Sequence, residues 1–260
     1  MEGSENDIKS EGKSTIAGIE RRDAGAYIQY INTEIKPEKM RIILEKLQGY
    51  PDSWPYKPPD INPRDDGQYN PKPGSEFVRT SGFLYDQLPR ANFIAKHKTV
   101  VTPSEMKRRI ANNDWRGNYD ERTIRALYSL SNEIILGQRI QKIFKDNAEY
   151  LKELAGKVGY GTVQLAEPLV GLMEKETENK IMIYENIWGL PPLFPAEFYS
   201  VRDALSKLFE NNGIRPTDLL TRQLLVPSFL SIDERKNTPI HLIDIEGYTT
   251  TDSSPIIEDM

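Results

Sequence analysis

The chain has 260 residues, with 34 Lys plus Arg against 39 Asp plus Glu, two His and no Cys, for a formal charge of −5. Zero Cys excludes disulfides, a thiol nucleophile and thiolate metal sites, and two imidazoles leave almost no scope for a histidine metal centre or relay. Hydrophobic residues and Gly together make up roughly 45% of the chain, the low edge of the globular range, so a core forms while part of the chain stays poorly buried.

No apolar run approaches the roughly 18–20 residues that cross a bilayer, and the amino terminus is polar and acidic, unlike a signal peptide. A soluble, unexported protein is expected: cytoplasmic, or within a virion if viral. Residues 1–24 carry Ser, Gly, Glu and Lys with few aliphatic side chains, which predicts a disordered arm. A short helix is predicted from Pro37 to Gln48, where Met40, Ile43, Leu44 and Leu47 repeat on one face and Gly49 stops it. Between Gly49 and Gly74, seven prolines rule out regular helix or central strand and predict an extended strap. The strap holds Trp54, Tyr56 and Tyr69, bulky rings that a free spacer has little reason to keep, and these are candidate subunit contacts. The whole of 25–101 reads as short helix, strap and irregular segment, with at most a few short strands.

A helical core domain is predicted over 102–239. Thr102–Glu105 opens a helix at about 103–113. From Tyr119 to Lys157 there is no Pro, and Ile124, Leu127, Ile134, Ile140, Phe144 and Leu151 recur at helical spacing, giving one long helix or two joined near Gly137. An amphipathic helix is expected from Thr162 to about Glu178, helix or strand at 181–188, and helices near 196–211 and 216–225. The last segment, 240–260, reads as one short strand, His241-Leu-Ile-Asp-Ile, and a flexible acidic tail. The predicted fold is therefore mainly α: an irregular helical bundle behind an extended Pro-rich strap, with few short strands.

The sharpest charge feature lies between Arg90 and Arg125, where nine cations face four acids, a net +5 in a chain of net −5. Lys96, Lys98, Lys107, Arg108, Arg109 and Arg116, with Trp115 among them, are candidate contacts to RNA or single-stranded DNA, through phosphate neutralisation and base stacking. The alternative partner for this basic face is acidic protein: a neighbouring copy or the chain's own tail, which carries Asp244, Glu246, Asp252, Glu258 and Asp259.

Gly156–Thr162 has close-set glycines, yet its Lys precedes the loop and a helix precedes the Lys, so it reads as a helix stop and not a phosphate cradle. His97 and His241 sit in no catalytic motif. The acid pairs Asp65/Asp66, Asp120/Glu121 and Asp233/Glu234 suit Mg²⁺, and equally suit turns and helix starts. No cofactor, metal ligand or catalytic residue is assigned.

These features point to a non-enzymatic, oligomeric structural or assembly component of virion or nucleocapsid type. A nucleic-acid-binding regulator or replication accessory using 90–125 is the first alternative, and a Mg²⁺-dependent carboxylate enzyme the second. Deleting residues 49–74 is expected to lower the assembly state in light scattering while leaving helical circular dichroism largely intact; a monomer unaffected by the deletion removes the strap's role.

Overall fold

The computed structural model of the protein describes residues 14–16, 19–24, 27–47, 77–80, 83–87, 93–98, 107–108, 111, 120–175, 180–185, 192, 194–217, 219–226, 231–252 and 256. The fold is mixed α/β, which corrects the mainly helical bundle expected from the sequence. Its frame is an antiparallel eight-stranded sheet. Three strands come from the amino terminus: β1 (Ser14–Ile16), β2 (Ile19–Ala24) and β3 (Tyr27–Asn32). The others are β4 (Phe77–Thr80), β5 (Phe83–Gln87), β6 (Phe93–Lys98), β8 (Pro168–Glu174) and β9 (Lys180–Glu185), with β7 (Thr162–Leu165) lying in another sheet. The strand order is β1-β2-β3-β8-β9-β6-β5-β4. β1 and β2 fall within the segment read as a disordered arm; Ile19, fully buried, gives that hairpin its place in the core.

Each face of the sheet is covered by a helix. On one face, α1 (Pro37–Leu47) lays Met40 and Ile43 over Leu169, Val170, Leu172, Ile181 and Ile183. On the other, α3 (Leu130–Asp146) sets Leu130 and Ile134 among Tyr30, Met173, Met182 and Tyr184. Close approach there depends on Gly171: a Cβ at that position falls 2.9 Å from the Cβ of Leu130, nearer than side chains tolerate.

The predicted long helix at 119–157 is three helices: α2 (Glu121–Tyr128), α3 and α4 (Ala148–Gly156). The breaks fall at Ser129 and Asn147 and not near Gly137. Ser129 is extended, with its hydroxyl accepting from the Asn132 N–H at 3.0 Å, so it ends one helix and caps the next.

Two further expected helices are absent. The segment 162–178 forms β7 and β8 instead, and 216–225 forms a 3-10 turn (Thr221–Gln223) running into β11 (Leu224–Leu225). The ambiguous 181–188 stretch is strand β9. The expected helix near 196–211 is present as a 3-10 turn (Pro195–Phe198) leading into α5 (Tyr199–Asn211).

A second core lies between α3, α4, α5 and two small sheets, with Phe144, Leu151, Phe209, Ile240 and Tyr248 buried together. The Phe144 and Phe209 rings stack 6.0 Å apart. After a short helix α6 (Ile232–Arg235), strand β12 (Pro239–Leu242) enters this core. β12 runs parallel to β7 and antiparallel to β11, and β10 (Ile214–Arg215) pairs with β13 (Thr249–Thr250). Among the described residues no helix is long and apolar enough to cross a membrane.

Asp120 caps α2, accepting from the Thr123 N–H at 2.8 Å and from Arg215 at 2.6 Å. The Thr123 N–H above all, and then Arg215, hold its carboxyl below the ordinary carboxylate value against the opposing effect of burial. A group depressed in this way stabilises the fold above its unfolded value of about 3.9, and the contribution fades as pH falls through the folded value. Asp120→Ala is therefore expected to cost about 1 kcal/mol in urea unfolding at pH 7, and less at pH 3.

Candidate buried-charge site

Strand β6 begins Phe93-Ile-Ala, continues with Lys96, and is interior to the sheet, paired with β9 on one side and β5 on the other. Lys96 stands opposite Met182, which in turn stands opposite Gly171, and Gly171 opposite Tyr30. Tyr30 and Met182 belong to the cluster beneath α3. Lys96 is 1% exposed. An ammonium taken so far from water costs several kcal/mol unless acids meet it.

Two acids do. Lys96 Nζ pairs with Asp244 Oδ1 and, at 2.9 Å, with Glu246 Oε2. Glu246 is nearly as buried as the lysine, while the Asp244 side chain keeps 17% of its surface exposed. The second oxygen of Asp244 makes no hydrogen bond among the described residues. The site is thus a buried ammonium beside a carboxylate that still faces solvent.

Local backbone geometry delivers these acids. β12 ends at Leu242, and Asp244 turns the chain with φ 64°, the left-handed region that a non-glycine residue rarely adopts and that is often held at functional positions. Gly247 follows at φ 78°; a Cβ there falls 2.8 Å from Leu127, so the loop lies hard against α2. Thr217 donates its hydroxyl to the Gly247 carbonyl at 2.6 Å, and the Asn132 amide donates to the Tyr248 carbonyl at 3.3 Å. The first turn of α3 therefore touches the sheet through Leu130 and the acidic loop through Asn132. Glu133, in the same turn, is fully buried.

Gln223 braces the loop from the other side. Its backbone carbonyl accepts from the Ile243 N–H at 2.9 Å, its side-chain carbonyl accepts from the Leu220 N–H at 2.8 Å, and its amide donates to the Asp244 carbonyl at 3.4 Å. The first and third of these tie the 3-10 turn before β11 to the exit of β12, and the second closes the turn on itself.

Among the described residues, Lys96 is the one cation singled out by sequence that stands at this site. Lys96 is interior and paired, so it is not one of a solvent-facing row of cations. Lys98 ends β6 opposite Lys180. Lys107 and Arg108 are helical and exposed. Arg109, Trp115, Arg116 and the strap residues Trp54, Tyr56 and Tyr69 lie outside the described residues, as do Asp65 and Asp66.

The other acid pairs serve helix starts. Asp120 caps α2, Glu121 bonds Arg125 at 2.6 Å, and Glu234 forms a reciprocal cap with Ser231 ahead of α6. Sequence reasoning passed over Asp244, Glu246, Gln223 and Glu133 as site residues, having counted the first two as tail charge. One signal in the sequence marks Asp244, an acid at the exit of the apolar His241-Leu-Ile run, and its counterpart is the Lys that interrupts apolar strand β6; Glu246, Gln223 and Glu133 carry no such mark. The tail acids do meet the basic segment, as one alternative held, with Lys96 inside the molecule and with Arg122 through Asp252 at 3.6 Å.

Among the described residues, no group of three or more acids and imidazoles is gathered to cage a metal ion. No family model, curated protein or solved structure matches this chain.

Lys96→Met is expected to cost about 3 kcal/mol in urea unfolding, because it leaves two carboxylates facing an apolar wall. A loss below about 1 kcal/mol would show that the ammonium is not what holds the loop.

Proposed function

We propose that the chain binds a nucleoside triphosphate together with a divalent cation and acts in phosphoryl transfer. Within that class, the reading is of the protein-kinase type. The observation that carries it is Lys96, on an interior strand of an antiparallel sheet, paired to Asp244 as that residue leaves β12 in a left-handed conformation.

Phosphoryl transfer asks little covalent chemistry of a protein and a great deal of placed charge. Kinases place a strand lysine on the phosphates, an acid of a packed helix behind it, a metal-holding Asp just after a strand, and an amide residue five positions after a catalytic Asp. Here Lys96 takes the first position and Glu133, buried in the first turn of α3, the second. Asp244 takes the third. Gln223 takes the fourth, with Asp218 five positions ahead of it in Asp218-Leu-Leu-Thr-Arg-Gln223. Asp218 lies outside the described residues and enters by spacing alone.

The donor set fits a magnesium ion, which takes one or two carboxylates plus phosphate oxygens and water and needs no cage of protein acids. Asp244 has an oxygen to offer it, and Gln223 has a carbonyl with a second lone pair. The cation's part is to neutralise charge on the phosphates. Lys96 binds and orients the phosphate oxygens, with Met182 as its apolar neighbour across the strand pair.

The sequence departs from the kinase pattern in places that bear on turnover. The sequence between β4 and β5 has one glycine, Gly82, where a Gly-rich cover has three; Arg215-Pro-Thr precedes Asp218; Gln replaces Asn at 223; and Glu246 stands two residues after Asp244.

Of the readings that the sequence leaves open, this one develops the Mg²⁺-dependent carboxylate enzyme. The assembly reading draws on the strap, outside the described residues, and the nucleic-acid reading on the basic 90–125 segment, where Lys96 is buried against acids and Lys107 and Arg108 are exposed. Binding is the direct test. ATP with Mg²⁺ at a hundredfold excess over Kd is expected to stabilise the fold by about 2.7 kcal/mol in a thermal-shift titration, and Lys96→Met and Asp244→Asn to abolish the shift. No shift from any nucleotide, with or without metal, overturns the reading.

A further inference from the structure

We propose that Asn32 is a positioning residue for the buried-charge site: it fixes the crossing between the sheet that carries Lys96 and the strand that delivers Asp244. As far as phosphoryl transfer is concerned, the inference rests on the proposed nucleotide site, and Asn32 stands at none of the positions that carry that reading.

The two halves of the site belong to different sheets. Lys96 lies in the eight-stranded sheet, whereas Asp244 follows β12, which lies in the sheet β11-β12-β7. The chain passes from β7 to β8, and so from one sheet to the other, through Ala166 and Glu167. The near end of that link is bound to β12, where the Ala166 N–H donates to the Leu242 carbonyl at 2.8 Å, two residues before Asp244. Its far end is bound to Asn32, whose amide donates to Glu167 Oε1 at 2.9 Å and to the Pro168 carbonyl at 3.1 Å. The Asn32 side-chain oxygen accepts from Gln138, midway along α3, at 2.7 Å and from the Glu34 N–H at 3.0 Å. The link, α3 and the end of β3 thus meet on one side chain.

That side chain is fully buried, and both donors and both lone pairs of its amide are used. A buried network satisfied to this extent selects one arrangement of the elements it joins. α3 reinforces it, because Leu130 and Ile134 pack on the large sheet while Ile140 and Phe144 pack in the second core. Between them Gly137 lies so close to Pro168 that a Cβ there falls 2.5 Å from the proline ring. Loss of the Asn32 ties frees the link, and β12 carries Asp244 with it. The meeting of Lys96 with its carboxylates is therefore set from a residue that touches none of them.

Asn32→Asp keeps the shape and the acceptor, removes both donors and sets a carboxylate against Glu167; Asn32→Ala removes all four ties. The acetylation rate of Lys96 is followed by mass spectrometry against exposed Lys152 as internal reference, alongside isothermal titration with ATP and Mg²⁺ and circular dichroism melts. Ile43→Val, beneath α1 and away from Asn32, controls for general loss of stability. Both Asn32 variants are expected to raise the Lys96 rate about tenfold relative to Lys152 and to weaken ATP binding about tenfold, the scale of one charge-assisted hydrogen bond. Ile43→Val is expected to leave both at their wild-type values. Gln138→Ala, which takes one tie from Asn32, serves if neither Asn32 variant folds. An unchanged Lys96 rate or an unchanged ATP affinity in folded variants, or an equal rise in Ile43→Val, makes Asn32 a plain stability residue and overturns the inference. A rise confined to the Asn32 and Gln138 variants, in a protein whose wild type binds no ATP, supports the positioning of Lys96 and overturns the nucleotide site alone.

Discussion

A lysine placed inside a β-sheet obliges the rest of the protein to supply counter-charge, and the left-handed turn after β12 answers that obligation. Lys96 sits in a row with Met182, Gly171 and Tyr30, where apolar packing alone would leave the ammonium stranded. The acids come from a distant segment, and an unusual backbone turn aims them. β12 is held on both sides, by β7 and β11, so the position of Asp244 is set by strand pairing rather than by a loose tail.

The sheet's two faces illustrate a division of labour. Beneath α1 the contacts are aliphatic, Ile43 against Leu169, Leu172 and Ile183, and they contribute burial without chemistry. Beneath α3 the sheet carries Tyr30 on β3, Tyr184 on β9 and Lys96 on β6. The Asn32 side chain is also fully buried, and its amide donates to Glu167 and to the Pro168 carbonyl while its oxygen accepts from Gln138 and from the Glu34 N–H. A closed set of this kind positions elements. The Lys96 cluster ends instead in a carboxylate that reaches solvent, next to a strained backbone.

What could be read from the sequence, and what could not, divides along periodicity. α1 matches its predicted span to within one residue because Met40 and Ile43 lie on one buried stripe with polar residues opposite. β8 was misread because Leu169, Val170, Gly171, Leu172 and Met173 are all buried, and a strand covered on both faces loses the alternation that identifies it. The three-helix break at Ser129 was hidden by apolar spacing that continues across it. Lys96 and Asp244 were legible only as a Lys within one apolar strand and an Asp at the end of another. Nothing local links residues 148 positions apart.

That separation also bears on how the chain reaches its native state. Contacts between distant positions form late and slowly because a long loop must close before they reward it. β6 cannot be buried between β9 and β5 at low cost until residues 244–246 arrive, so closure of the sheet and docking of the loop after β12 are bound into one cooperative event. A nascent polypeptide that has emerged only as far as β9 holds all eight strands of the sheet and still has no counter-ion for its central cation.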